Sequence, residues 1–142
     1  MSLFALFVIN RSGGLVFHRD FGSSEIQHLS TNEQLVIAGA FHGVHALTAR
    51  ISPLEQNESV SSGLQYLKTP TFTLYCHQTM TGIKFLFITS PDFPDYQALS
   101  TAAYRLYVEF VVKNPFYQPD MPIRIELFDK GITKLGLTYP VK

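Results

Sequence analysis

Leu3-Phe4-Ala5-Leu6-Phe7-Val8-Ile9-Asn10-Arg11-Ser12-Gly13-Gly14-Leu15-Val16-Phe17-His18-Arg19 is the stretch on which the fold turns. Its first part, Leu3 to Asn10, is short, apolar and rich in Phe, Val and Ile, which reads as a buried strand. Arg11-Ser12-Gly13-Gly14 is a turn, because paired glycines supply the positive φ that a hairpin needs. Leu15 to Arg19 returns as a second strand. The chain therefore opens on an antiparallel hairpin.

Beyond a polar stretch from Gly22 to Leu29, Ser30-Thr31-Asn32-Glu33 has the pattern of a capping box. The helix it starts is expected to run to about Ile51, where Ser52-Pro53 ends it. Ile37, Ala40, Phe41, Val44, Thr48 and Ile51 recur at helical spacing and are expected to face the core. Leu35, Val36, Ala46, Leu47 and Ala49 spread apolar surface well beyond that stripe. A helix apolar around most of its girth is buried on two sides or contacts a partner.

After a polar loop from Leu54 to Ser62, Gly63–Lys68 and Thr71–His77 are strand candidates joined at Thr69-Pro70. Phe72, Leu74 and Cys76 alternate with Thr71, Thr73, Tyr75 and His77 at the period of a half-buried strand. Ile83 to Thr89 makes a fifth strand, apolar enough to be central. A second helix is expected from about Asp95 to Lys113, with Asp92 and Asp95 at its start, where acids suit the dipole. Leu99, Ala103, Leu106 and Phe110 form one apolar line on it, and Tyr104, Tyr107, Val108 and Val111 a second. From Asp120 to about Leu137 the pattern fits a short helix from Pro122, but Ile123-Arg124-Ile125-Glu126-Leu127 alternates like a strand. Five strands joined mostly by hairpins and flanked by helices describe an α+β layer fold with an antiparallel sheet. Residues 1–142 read as one domain.

Composition narrows the function. Eleven Lys and Arg balance eleven Asp and Glu, and 15% of the 142 residues are charged, against about 25% in an average soluble domain. A zero net charge argues against phosphate-led nucleic-acid binding and against a polybasic membrane anchor. Twelve Phe and seven Tyr must share the surface with few charges, and apolar patches on such a domain mark partner contacts. One cysteine, Cys76, permits no internal disulfide. The apolar run at the N-terminus lacks the basic stretch before it that a signal peptide carries. No stretch approaches the length of a membrane span. The expectation is a cytosolic chain.

The residues that carry chemistry do not assemble. His42 and His45 share a helical face, but no Glu stands at metalloprotease spacing. Cys76 and His77, adjacent on a strand, point to opposite faces and form no dyad. Ser12-Gly13-Gly14 lacks a dinucleotide fingerprint, and Lys84 in Thr81-Gly82-Ile83-Lys84 lies inside a strand. No catalytic, cofactor-binding or metal-ligating residue is expected, and no cofactor; a small-molecule hydrolase is a remote alternative. The segment Lys113 to Arg124 is different in kind. Pro115, Pro119 and Pro122 stiffen it around Phe116 and Tyr117, which reads either as a rigid connection or as a docking surface.

Ser12-Gly13-Gly14-Leu15-Val16, Thr31-Asn32-Glu33 and Gln78-Thr79-Met80-Thr81-Gly82-Ile83-Lys84-Phe85 resemble the synbindin branch of the TRAPP small subunits. Lys113-Asn114-Pro115-Phe116-Tyr117, Met121-Pro122-Ile123-Arg124 and Phe128-Asp129 are similar to the C-terminal signature that synbindin shares with sedlin. The resemblance covers nearly the whole chain. It implies a longin-like, profilin-like domain of order β-β-α-β-β-β-α-α, with one helix on one face of a five-stranded antiparallel sheet and two on the other. It favours a helix for the ambiguous end. It also implies a subunit of a complex that tethers vesicles between the endoplasmic reticulum and the Golgi and promotes exchange on a Rab-type GTPase. Its partners would be other TRAPP longin-like and core subunits. Animal synbindins carry a PDZ-like insertion before the first helix, and Phe21 to Ser30 leaves no room for it. A small adaptor or coat subunit shares the implied fold and remains the alternative. A vesicle-fusion longin protein would continue into a heptad segment and an anchor, neither of which is read before Lys142. The residues expected to meet partners are Val36, Ala40 and Leu47 on the first helix, Tyr104 and Tyr107 on the second, and Phe116 and Tyr117 beyond it.

Overall fold

Asn10 closes the opening hairpin with its own side chain. Its Oδ1 accepts from the backbone N–H of Ser12 at 3.0 Å and of Gly14 at 2.8 Å, while Gly13 takes a φ of +90° that a side chain would resist. The computed structural model describes residues 3–21, 30–51, 65–91, 93, 96–118 and 120–138. In it β1 (Leu3–Ile9) and β2 (Leu15–Asp20) are followed by α1 (Thr31–Arg50), β3 (Tyr66–Lys68), β4 (Thr73–Gln78) and β5 (Lys84–Thr89). Then come α2 (Tyr96–Tyr107), which passes straight into a π-helical turn over Val108–Val112, and α3 (Glu126–Thr138). The readings placed on 22–29, 52–64, Asp92 and Asp95 lie outside the described residues.

The strands make one sheet in the order β2-β1-β5-β4-β3, every pair antiparallel. β1 and β5 stand in the middle and are covered on both faces, which is why they read as apolar runs instead of alternating. On one face Ala5, Phe7, Ile9, Cys76 and Leu86 pack under Ala38 and Phe41 of α1. On the other, Leu6, Val8, Phe85 and Phe87 meet Leu99, Ala103, Tyr107 and Val111, with Phe128 and Ile132 from α3. Leu3 has the parity of Ala5 yet joins this second layer, because the β1–β5 register shifts between Leu3 and Ala5. One helix on one face and two on the other is the arrangement expected from the resemblance.

The capping box forms in full: Glu33 N–H donates to Ser30 Oγ at 3.3 Å, and Ser30 N–H to Glu33 Oε2 at 3.0 Å. The core side of α1 differs from the expected stripe. Ala38, Phe41 and His45 are its buried positions, whereas Ala40, Val44 and Ile51 face outward. The physical reason is that α1 is apolar on two sides, and the sheet takes the side where small Ala38 lets the helix come close and Phe41 fills the gap. On α2, Leu106 and Phe110 are half-buried, and the fully covered row is Leu99, Ala103, Tyr107 and Val111, each four apart.

The C-terminal segment is a helix from Glu126, and residues 122–125 before it form no strand. Ile123 N–H donates to Val16 O at 2.7 Å, which ties the approach to α3 to β2. Gly131, which weakens α3 by propensity, stands where a Cβ would be 2.8 Å from Leu106 Cδ2. Its absence lets α3 lie close on α2.

Candidate functional site

Catalysis has poor material here. Cys76 is buried in the α1 layer, and burial pushes its thiol up to about 12, so it holds its proton at neutral pH. His77 sits on the other face, its ring 6.0 Å from Tyr104 and burial holding it below the ordinary histidine range. Among the described residues no three His, Cys, Asp or Glu side chains gather as a metal site. No helix among them is long and apolar enough to cross a membrane.

The pair His42 and His45 meets an amine, which the sequence pattern did not reveal. Lys84 on β5 is 4% exposed, and its Nζ lies 3.1 Å from His42 Nδ1. A charged Lys84 only donates, and in that state the Nδ1 of His42 is the acceptor. Burial and then the Lys84 charge hold His42 and His45 below the usual range, and burial lowers Lys84 itself. A cation already seated beside these imidazoles opposes a metal ion there. A lone Lys in the apolar run Ile83 to Thr89 was the available signal.

The partner candidates fall on two separate surfaces. Val36 and Leu47, each 61% exposed, and exposed Ala40 lie on the outer side of α1. Val44 and Ile51 extend the same side and are also exposed. Gly39 and Gly43 stand among them, and a Cβ on either would meet nothing within 4 Å. Sequence reading had not singled out these glycines. Their signal was two helix-weakening residues four apart beside an apolar row.

The other four residues belong to the opposite side and its end. Tyr104 is exposed at 40%, but Tyr107 is 8% exposed and packs edge-on to Phe85 at 5.3 Å. Tyr107 is mostly covered, because the row Leu99-Ala103-Tyr107 turns it to the sheet. Phe116 is 91% exposed, yet its backbone is fixed. Its N–H donates to Asn114 Oδ1 at 2.9 Å, Tyr117 N–H to Asn114 O at 3.2 Å, and Tyr117 OH to Met121 O at 2.8 Å. Burial, with Tyr107 and Asp120 near, pushes the Tyr117 phenol up to about 12. A large apolar ring held outward on a self-bonded turn loses little entropy on meeting a partner.

Known proteins share this pattern over most of its length. The chain is 37% identical to trafficking protein particle complex subunit 4 of Dictyostelium discoideum over 135 residues, covering 95% of this chain and 96% of that one. It is 44% identical to the human subunit 4 over 114 residues, which cover 80% of this chain and half of the human one. Subunit 1 of the same complex from Dictyostelium discoideum is 23% identical over 127 residues, 89% of this chain and 88% of that one. Among solved structures, MglB in a tetrameric arrangement aligns with 67% of this chain and 65% of its own at a TM-score of 0.49 and 12% identity. The model of the Sybindin-like family matches residues 3–136, and with that span the chain belongs to the Sybindin-like family.

Proposed function

We propose that this chain is a non-catalytic subunit of a trafficking protein particle complex and that the outer side of α1 seats a neighbouring subunit of the same fold. The observation that carries the reading is the row of exposed Val36, Val44, Leu47 and Ile51, with Gly39 and Gly43 in open space beside it. Single exposed aliphatics are ordinary, but a contiguous apolar side of a helix is a place for a partner. Each of those glycines costs the helix up to about 1 kcal/mol relative to alanine and returns nothing within the chain. Bare backbone on an outer face suits a neighbour that comes close.

The relatives' names support membership of such a complex. In this reading the complex tethers vesicles between the endoplasmic reticulum and the Golgi, and the subunit is peripheral to those membranes. It adds surface to a site, shared with other subunits, at which a Rab-type GTPase exchanges its nucleotide. The chain supplies no covalent chemistry, which accords with a protonated Cys76 thiol set apart from His77.

The test is the pair Val36→Glu with Leu47→Glu in one chain. Both positions are open to solvent, so the isolated variant is expected to keep its circular dichroism and its melting temperature. Stoichiometric co-purification with longin-like subunits is expected to disappear, and with it nucleotide release from the GTPase in the reconstituted assembly. Partners that still come down at normal stoichiometry would show that this side of α1 is not the interface.

A further inference from the structure

Arg11 and Asp120 are exposed, opposite in charge and part of the wall of one cavity of about 330 Å³. The cavity opens where the β1–β2 turn, the β4–β5 turn and the π-helical end of α2 come together. Ile83, Tyr107, Val112 and Tyr117 give it an apolar wall. Its size is at the small end of the roughly 300 to 1,000 Å³ of ligand pockets, room for a side chain or two and not for a large cofactor.

The two charges are placed by backbone features. Gly82 takes a φ of +89°, and a Cβ there would stand 3.1 Å from Arg11 Cγ, so the arginine stem lies directly on the second hairpin. Asp120 holds a φ of 68°, the single positive φ on a non-glycine among the described residues. Such positions collect at ligand sites. The Tyr117–Met121 bond closes the turn around it. Asp120 lines the cavity together with Tyr107 and Tyr117. Among the described residues neither Arg11 nor Asp120 is in an ion pair, with the other or elsewhere, although Arg19–Asp129 and Lys130–Glu126 are paired.

We propose that this cavity recognises a short extended peptide of a partner protein, one aromatic or branched apolar side chain entering between an acidic residue for Arg11 and a basic residue for Asp120. A peptide fits better than a free amino acid because apolar surface continues outside the cavity. Val112 is 58% exposed on its rim, and Phe116 follows on the adjoining turn. Alternate residues of an extended chain share a face, so the charges belong two residues to either side of the anchor.

The test uses the whole isolated chain and so does not depend on the assembly reading above. Acetylated, amidated pentapeptides Glu-Ala-Phe-Ala-Lys and Lys-Ala-Phe-Ala-Glu are titrated while the methyl resonances of Ile83 and Val112 are followed by NMR. One of the two is expected to give a saturable shift at both methyls. Replacing its Phe by Ala should weaken binding at least about tenfold, the loss of a buried anchor. Arg11→Gln and Asp120→Asn should each weaken it severalfold; Asn tolerates the left-handed backbone at 120. Val112→Asp should abolish it, and if that variant does not fold, the two charge variants decide. Failure of both peptides to saturate, or binding unchanged in the charge variants, overturns the proposal. So does free phenylalanine binding as tightly as the peptide, which would make the site one for a small zwitterion.

Discussion

Lys84 stands on β5 with its stem under α1 and its Nζ 3.1 Å from His42 Nδ1. Burial first, then that charge, holds His42 and His45 below the ordinary histidine range in the folded chain. Burial does the same for His77, and for His18 it outweighs the neighbouring Asp20. The unfolded chain therefore takes up protons near pH 6.5 before the folded chain does. Stability is complete above that pH and declines as pH falls through it. The urea midpoint should fall between about pH 7.5 and 5.5, and Lys84→Met should reduce the fall. Replacing a buried amine by an apolar isostere should also raise neutral-pH stability by on the order of 1 kcal/mol. The sharper measurement is the NMR titration of His42, whose midpoint should move up in Lys84→Met. A midpoint that stays put would mean that Lys84 does not set the state of this imidazole.

Helix α1 has its start written in four residues and its orientation written nowhere. Ser30 and Glu33 make both bonds of the capping box, so Ser30→Ala should destabilise the chain by about 1 kcal/mol, read from thermal melting. Periodicity marks the faces of a helix but does not say which face turns to its own sheet. Here the larger aliphatics Val36, Leu47 and Ile51 point out, and Ala38, Phe41 and His45 point in. Tyr107 shows the same limit on α2, since an aromatic beside a core row looks alike whether it closes the core or leaves it. The hairpins, the sheet and the capped helix were legible because turn glycines and caps act locally. The cavity was not, because Arg11, Ile83, Val112 and Asp120 meet only after the two hairpin tips and the end of α2 are brought together. The glycines on α1 separate chain from assembly. Gly39→Ala and Gly43→Ala each add a methyl that meets nothing, so each should stabilise the isolated chain by about 0.5 to 1 kcal/mol. The same methyls enter the proposed seam and should lower co-purification with partners. If assembly is unaffected by both, no neighbour comes close to that backbone.

At the scale of the molecule, the shortage of charge acquires a location. Eleven cations and eleven anions on 142 residues leave large areas without either. The sheet separates two exposed apolar surfaces, the outer side of α1 on one face and the Phe116 end on the other. Contacts of the first kind gain from removing apolar surface from water, and their signature is a negative heat capacity of binding with little dependence on salt. Charged interfaces behave otherwise, because exposed charges are screened over about 10 Å at 0.1 M salt and over less as salt rises. Titration calorimetry of this chain with the neighbouring subunit proposed above should therefore give a clearly negative heat-capacity change. The affinity should vary by less than about threefold between 0.1 and 0.5 M sodium chloride. Val36→Glu with Leu47→Glu should remove most of the heat-capacity change along with the binding. An affinity that drops tenfold or more over that salt range would place the contact on charged residues and take it away from α1, where Glu33 and Arg50 mark the two ends and the row between them is apolar.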